Sequence, residues 1–255
     1  MIRQSTFWNA LHLDSYNPPI ISIVGAGGKT SLLYRLGEEA ISMNRSALLS
    51  GTTLFTLPKK EILNQQIIEQ TNKNLLERLT KSTFNSAVVI ARTGTAPKKR
   101  QRPISIETID KIAKDSKFEL IALESDGSKM RPFKTPDSHE PVIPESATHI
   151  IYVIGLSALN KPLNDDYVHR SKLVKEIVGP ATHCTVDVIS QIATNLEGGR
   201  KGVHNRDFTV LINQSELNLP LATQLAKTIY QKDHSRVIVA SLKSIHHPIL
   251  EIYQT

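Results

Sequence analysis

Short apolar runs rich in β-branched residues recur along this chain, and between them lie stretches whose apolar positions are three and four residues apart. The runs fall at 20–24, 47–53, 86–92, 118–124, 148–154, 208–213 and 236–241, and each reads as a buried strand. Helical spacing marks 29–43, 60–80, 105–115, 185–196 and 217–231. Strands that alternate with helices predict an α/β fold, a mainly parallel sheet with flanking helices on both faces. The expected arrangement is one domain over residues 1–255, with long irregular loops at about 126–147 and 156–184. The first of these loops holds four prolines between Asp126 and Pro144 and has little apolar periodicity. Loops this long inside an α/β domain usually carry function.

The first strand and helix are joined by an unusual turn. Residues 20–33 read IISIVGAGGKTSLL, so Ile20–Val24 leads through Gly25-Ala26-Gly27-Gly28-Lys29-Thr30-Ser31 into a helix with Leu32, Leu33 and Leu36 on one side. The spacing is G-x-x-G-K-T rather than the longer G-x-x-x-x-G-K-[ST], because Ile23 stands where a leading glycine would fall. Such a turn is either a phosphate cradle or a tight bend. Strand, paired glycines, lysine and hydroxyl coincide here, and that coincidence favours the cradle. The backbone amides can converge on a phosphate over the positive end of the helix dipole. Lys29 would reach the outer phosphates and Thr30 would ligate Mg²⁺. The fold expectation then sharpens to a P-loop NTPase-like three-layer sandwich.

A second element supplies carboxylates. Phe118–Leu123 is an apolar run that ends in Glu124-Ser125-Asp126-Gly127. In a parallel sheet the carboxyl ends of the strands share one edge, so these acids can meet the lysine turn. Glu124 and Asp126 are two apart and would share a face if the strand persists. Acids so placed hold Mg²⁺ and orient an attacking water, so Lys29, Glu124 and Asp126 form the candidate catalytic set, with Thr30, Glu124 and Asp126 as metal ligands. The competing interpretation is a simple turn at Asp126-Gly127 with Glu124 on the surface. Farther on, Lys129, Arg131, Lys134 and His139 follow the acids closely, and His169-Arg170 forms another pair. These cations would bind an anionic second substrate if their loops fold back over the nucleotide. A histidine in a loop is more often a structural hydrogen-bonding residue, which leaves acid–base roles for His139 and His169 as the minor alternative.

Composition narrows the setting. The 40% hydrophobic and 22% charged content matches an ordinary globular protein, and no apolar run approaches the roughly 20 residues that span a bilayer. No membrane association is expected. The first residues, MIRQSTFWNALHLD, are too polar for a signal-peptide core, and Trp8, Leu11 and Leu13 there can form a small packing segment. The single cysteine, Cys184, excludes an internal disulfide and disfavours a thiolate metal site. Cytoplasm is the expected compartment. The net charge of +7 suits an anionic ligand, yet much of the excess lies in Lys98-Lys99-Arg100-Gln101-Arg102. That run reads as a solvated face before it reads as a phosphate lid or an RNA contact, since no aromatic residue is interleaved with it. Nucleic acid is not an expected partner.

The segments GAGGKTS, ESDGSKMRPFKTPDSHEPVIP and VIGLSALNKPLNDDYVHR together make the chain resemble the YqeC family, over about Ile20 to Glu216. That family is described as selenium-dependent hydroxylase accessory proteins, or selenium cofactor biosynthesis proteins. The resemblance implies a bacterial cytoplasmic factor in the maturation of selenium-dependent molybdenum hydroxylases. It also places the family's lysine loop on Gly25–Thr30, its acid stretch on Glu124–Gly127, its H-E-P-V-I-P block on His139–Pro144 and its H-R pair on His169-Arg170. A family run of threonines is partly matched by Gly51-Thr52-Thr53-Leu54. An N-K-x-D tetrad common in the family reads Asn213-Gln214-Ser215-Glu216 here, so Asn213 and Glu216 are carried over as nucleotide-binding positions. In GTPases the terminal carboxylate of that tetrad accepts hydrogen bonds from guanine. Glu216 keeps the carboxylate on a longer arm and Gln214 drops the lysine, so ATP and GTP stay open. The compact lysine turn is also similar to that of the Mur ligases, which use ATP.

The expected function is that of a P-loop nucleotide-binding protein. It would be a Mg²⁺-dependent NTPase or a phosphoryl- or nucleotidyl-transfer enzyme, with ATP or GTP and an unidentified small-molecule or cofactor substrate. A nucleotide-gated binding module docking a molybdenum hydroxylase or its cofactor, comparable to metallochaperone GTPases, is the alternative.

Overall fold

The computed structural model describes residues 6–56, 65–96, 100–115 and 117–254. Its main sheet has nine strands: β1 (Ile20–Gly25), β2 (Ala47–Gly51), β3 (Gln65–Ile68), β4 (Val88–Arg92), β5 (Leu120–Glu124), β6 (His149–Gly155), β7 (Asp207–Asn213), β8 (Arg236–Ala240) and β9 (Ile249–Tyr253). Their order across the sheet is β9-β8-β7-β6-β1-β5-β2-β4-β3. All neighbours run parallel except β9, which pairs antiparallel with β8. Among the described residues seven α-helices accompany the sheet: α1 (Phe7–Ala10), α2 (Lys29–Ser42), α3 (Asn72–Lys81), α4 (Ile106–Asp115), α5 (Ser171–Val178), α6 (Val186–Thr194) and α7 (Leu219–Asp233).

Alternation along the strands sorts two cores. On β1, Ile21 and Ile23 join Leu32, Leu33, Leu36 and Ala40 of α2 and Phe7 and Trp8 of α1. Ile20 and Val24 point the other way, into a core shared with Leu75 of α3, Ile109 of α4, Ile189 of α6 and Leu225 of α7. Helices thus cover both faces and make the three-layer α/β sandwich. Phe7 and Trp8 anchor the start of the described chain. Their backbone amides donate to the Glu39 carboxylate of α2, both at 2.9 Å.

Strand order explains where a site can form. From β1 the chain builds one half of the sheet through β2, β3, β4 and β5, then crosses to β6 and builds the other half. β1 therefore lies between β5 and β6, the place where connections leave in opposite directions and a crevice opens at the carboxyl edge.

Three elements depart from the pattern read above. Helical spacing over 60–80 yields α3 only from Asn72. Residues 65–68 form the edge strand β3, whose Gln-Gln-Ile-Ile sequence carries too short an alternation to stand out, and 57–64 lie outside the described residues. β9 closes the opposite edge, as a five-residue antiparallel strand after Pro248. Helix α5 occupies Ser171–Val178 inside the stretch read as irregular; it is two turns long and packs one side against α6. Of the basic run, Lys98 and Lys99 are outside the described residues, and Arg100-Gln101 belongs to a small antiparallel sheet with 55–56 and 95–96.

Candidate functional site

The turn after β1 is built by its glycines and by what presses on them. Gly27 has φ +84°, and a Cβ there would collide with the backbone of Gly155 and the Pro132 carbonyl. Gly28 has φ +148° and lies against the Asn213 carboxamide. Asn213 donates to the Gly27 carbonyl at 2.8 Å and accepts from the Leu242 amide at 3.0 Å, so it clamps the turn to the end of β7 and the chain after β8. Ala26 donates to Val153 of β6 at 2.8 Å. The amides of Gly27, Gly28, Lys29, Thr30 and Ser31 have no acceptor among the described residues, and α2 has no side-chain N-cap. They sit at the positive end of a 14-residue helix. Gly27, Gly28 and Thr30 are half-buried and Ser31 is exposed.

The acids after β5 converge on this turn. Asp126 accepts from the Gly25 amide at 2.9 Å through Oδ2, and Glu124 accepts from the Thr30 hydroxyl at 2.9 Å. Lys29 points inward and is only 3% exposed. Its ammonium donates to the Gly25 carbonyl at 2.8 Å and lies 3.2 Å from Asp126 Oδ1 and 3.9 Å from Glu124 Oε1. The Thr30 hydroxyl and the Glu124 carboxylate form a pair of hard oxygen donors of the kind Mg²⁺ prefers. Among the described residues no group of three or more His, Cys, Asp or Glu is arranged to hold a metal ion. Two protein oxygens are compatible with Mg²⁺, which usually keeps waters and takes substrate phosphate oxygens as further ligands.

Residues of the 126–147 and 156–184 stretches are placed unequally. Lys134 lies on a two-residue strand, Phe133–Lys134, paired in parallel with Val168–His169. It is fully buried, and its ammonium donates to the Gly127 carbonyl at 2.7 Å and the Glu140 carboxylate at 2.6 Å, with Asp126 Oδ2 at 2.9 Å. Arg170 meets the same Glu140 oxygen at 2.5 Å and Asp137 at 3.1 Å. Burial alone would raise the Glu140 carboxyl, but hydrogen bonds from Arg170 and Lys134 overcome it and hold the group down at about 2. His169 is held at about 4, first by burial and then by the positive charges of Arg170, Lys134 and Lys129, so it is neutral at pH 7.

The rest are nearer solvent. Lys129 is exposed and has φ +48°; Met130 beside it has φ +62° and is 98% exposed. Arg131 is half-buried and His139 exposed. Glu216 is exposed on a single helical turn, Ser215–Leu217. The structure thus gathers Gly25 to Ser31, Glu124, Asp126 and Asn213 into one cluster and joins Lys134 and Arg170 to it through Asp126 and Glu140. The sequence reads Glu140, beside His139, as a group for acid–base or metal-binding chemistry; the structure pairs it with Lys134 and Arg170. Its placement just before Pro141, Val142 and Ile143 in the H-E-P-V-I-P block was the available signal, since an acid carried into the interior by an apolar stretch needs a cation. Tyr152 was passed over, although its hydroxyl donates to the Lys134 carbonyl at 2.6 Å and holds that short strand against β6.

Comparison with known proteins adds a family context. A family model described as "YqeC protein" matches residues 21–172, a span that includes the lysine turn, both acids, Lys134, Glu140 and Arg170. The chain is also 30% identical over 177 residues to the Escherichia coli (strain K12) protein described as "Uncharacterized protein YqeC", covering 69% of this chain and 67% of that one.

Proposed function

Since this chain belongs to the YqeC family, we propose that it is a P-loop nucleotide-binding protein. We assign it a Mg²⁺-dependent NTPase or phosphoryl- or nucleotidyl-transfer activity, serving as a cytoplasmic accessory factor in the maturation of selenium-dependent molybdenum hydroxylases. One observation carries the nucleotide reading: five amides at the N-terminus of α2, without acceptors among the described residues, stand beside a lysine and a threonine–carboxylate pair. An anion is the natural ligand of such amides, and a polyphosphate is long enough to engage amides, lysine and metal together.

In this reading the amides of Gly27 to Ser31 bind the phosphates, and Lys29 moves from the Gly25 carbonyl to stabilise charge on the transferring group. Thr30 and Glu124 would hold Mg²⁺, which supplies Lewis-acid neutralisation of the phosphate oxygens. Asp126 orients the turn through the Gly25 amide and keeps Lys29 close. Asn213 fixes the turn's position by its clamp on Gly27. Phosphoryl transfer depends chiefly on positioning and charge stabilisation, so no covalent nucleophile is required. Lys129, Arg131, His139 and His169 are the candidates to hold a second, anionic substrate.

Calorimetric titration with ATP, GTP and a molybdopterin nucleotide, each with and without Mg²⁺, tests this reading. Saturable binding that weakens without Mg²⁺ is expected for at least one of them. Absence of binding by all three would overturn it.

A further inference from the structure

Asp126 is a buried carboxylate, 2% exposed, and it faces two lysines that hold it very differently. An ammonium has three protons to donate. Lys134 donates two directed hydrogen bonds, to the Gly127 carbonyl at 2.7 Å and Glu140 Oε2 at 2.6 Å, and forms an ion pair with Asp126 Oδ2 at 2.9 Å. It is fully buried. Among the described residues Lys29 donates one directed hydrogen bond, to the Gly25 carbonyl, and pairs with Asp126 Oδ1 at 3.2 Å, an oxygen with no hydrogen-bond partner there. One lysine is locked, while the other is held more loosely, beside amides without acceptors among the described residues.

Glu124, Asp126 and Glu140 face Lys29, Lys134 and Arg170, and Arg170 also pairs with Asp137 at the edge of the cluster, so no cation there is in excess. A phosphate arriving at α2 would draw Lys29 away, and a buried carboxylate left alone is strongly destabilising. A second cation must therefore already be in contact with Asp126.

We infer that Lys134 is this positioning residue: it keeps the Asp126 charge compensated when Lys29 turns from the carboxylate to a bound polyphosphate. The inference rests on the nucleotide reading above. Lys134 never touches the ligand. Its effect passes through Asp126, and Glu140, itself held by Arg170, keeps Lys134 in place.

The test is a double-mutant cycle on the full chain, with the Mg²⁺–nucleotide that the wild type binds and with melting curves to verify folding. Lys134→Met is expected to weaken binding by about tenfold or more, because Lys29 then stays with Asp126 as its only cation. Asp126→Asn removes the charge that Lys134 serves, so D126N and D126N/K134M are expected to bind within about threefold of one another. Should K134M not fold, Lys134→Gln, which loses the charge but can still hydrogen-bond Gly127 and Glu140, takes its place. A folded Lys134 variant that binds like the wild type overturns the inference and leaves the nucleotide reading standing. So does a D126N/K134M protein much weaker than D126N, since Lys134 would then act otherwise than through Asp126. A wild type that binds no nucleotide overturns both.

Discussion

The turn at Gly25–Ser31 and the block made by 133–142 and 168–170 lie side by side, joined by Asp126, yet they are bonded in opposite ways. In the block, Lys134, Glu140 and Arg170 are tightly paired, and the Val142 amide donates to the Ser125 carbonyl at 2.9 Å. The Thr52 hydroxyl donates to the Val142 carbonyl at 2.6 Å, which fastens the block to the chain after β2. In the turn, five consecutive amides lack acceptors among the described residues and the lysine donates a single directed hydrogen bond. The difference separates a framework, which must not move, from a surface prepared for an anion. Preorganised donors of that kind bind charge without reorganising when it arrives.

The contrast can be broken most severely from the framework side. Glu140→Ala would leave Lys134 and Arg170 short of their shared acceptor, and a loss of about 3–5 kcal/mol of stability is expected from breaking a buried ionic group. Urea denaturation at neutral pH would measure it. The acid dependence carries a sign. The folded-state value of Glu140, about 2, lies below its ordinary 4.5, so its stabilisation is complete above about pH 4.5 and fades as pH falls toward 2. The wild type should lose this contribution in that window, whereas E140A, which retains the other lowered carboxylates such as Asp137, should lose less there.

Next in size is the ligand side. Lys29→Ala should weaken Mg²⁺–nucleotide binding by about 10- to 100-fold, the value of a charged hydrogen bond, without a comparable fall in melting temperature. Equal losses of affinity and stability would instead assign Lys29 to the framework. The smallest expected change sharpens the boundary between the two regions. Asn213→Ala removes two hydrogen bonds that clamp the turn, so a loss of about 1–2 kcal/mol in stability is expected. Hydrogen exchange should then quicken at Leu242, whose amide loses its acceptor.

Much of this was readable from residue order. β-branched runs located the parallel strands, because a strand buried on both faces must be apolar throughout, as Ile20–Val24 and His149–Gly155 largely are. The convergence of Lys29 and Thr30 with Glu124 and Asp126 followed from the shared carboxyl edge of a parallel sheet. What escaped was set by distant contacts. Lys134 read as a cation for a substrate, since nothing near it in the chain announces that Asp126 and Glu140 enclose it. Asn213 read as a base-binding position, whereas its carboxamide is engaged with Gly27 and Leu242. Glu140 meets Arg170 across thirty positions, with only a two-strand pairing to bring them together. Edge strands β3 and β9 carried too little alternation, and helix α5 was masked by the glycine and prolines around its short span.

The central claim is that the amides of Gly27 to Ser31 are the receptors for a polyphosphate. Amide-resolved NMR during titration with the Mg²⁺ complexes of ATP and of GTP addresses it directly. Saturable shifts concentrated on those five amides, and lost in Lys29→Ala, are the result expected. Saturable binding whose shifts fall elsewhere, with the five amides unmoved, would contradict it.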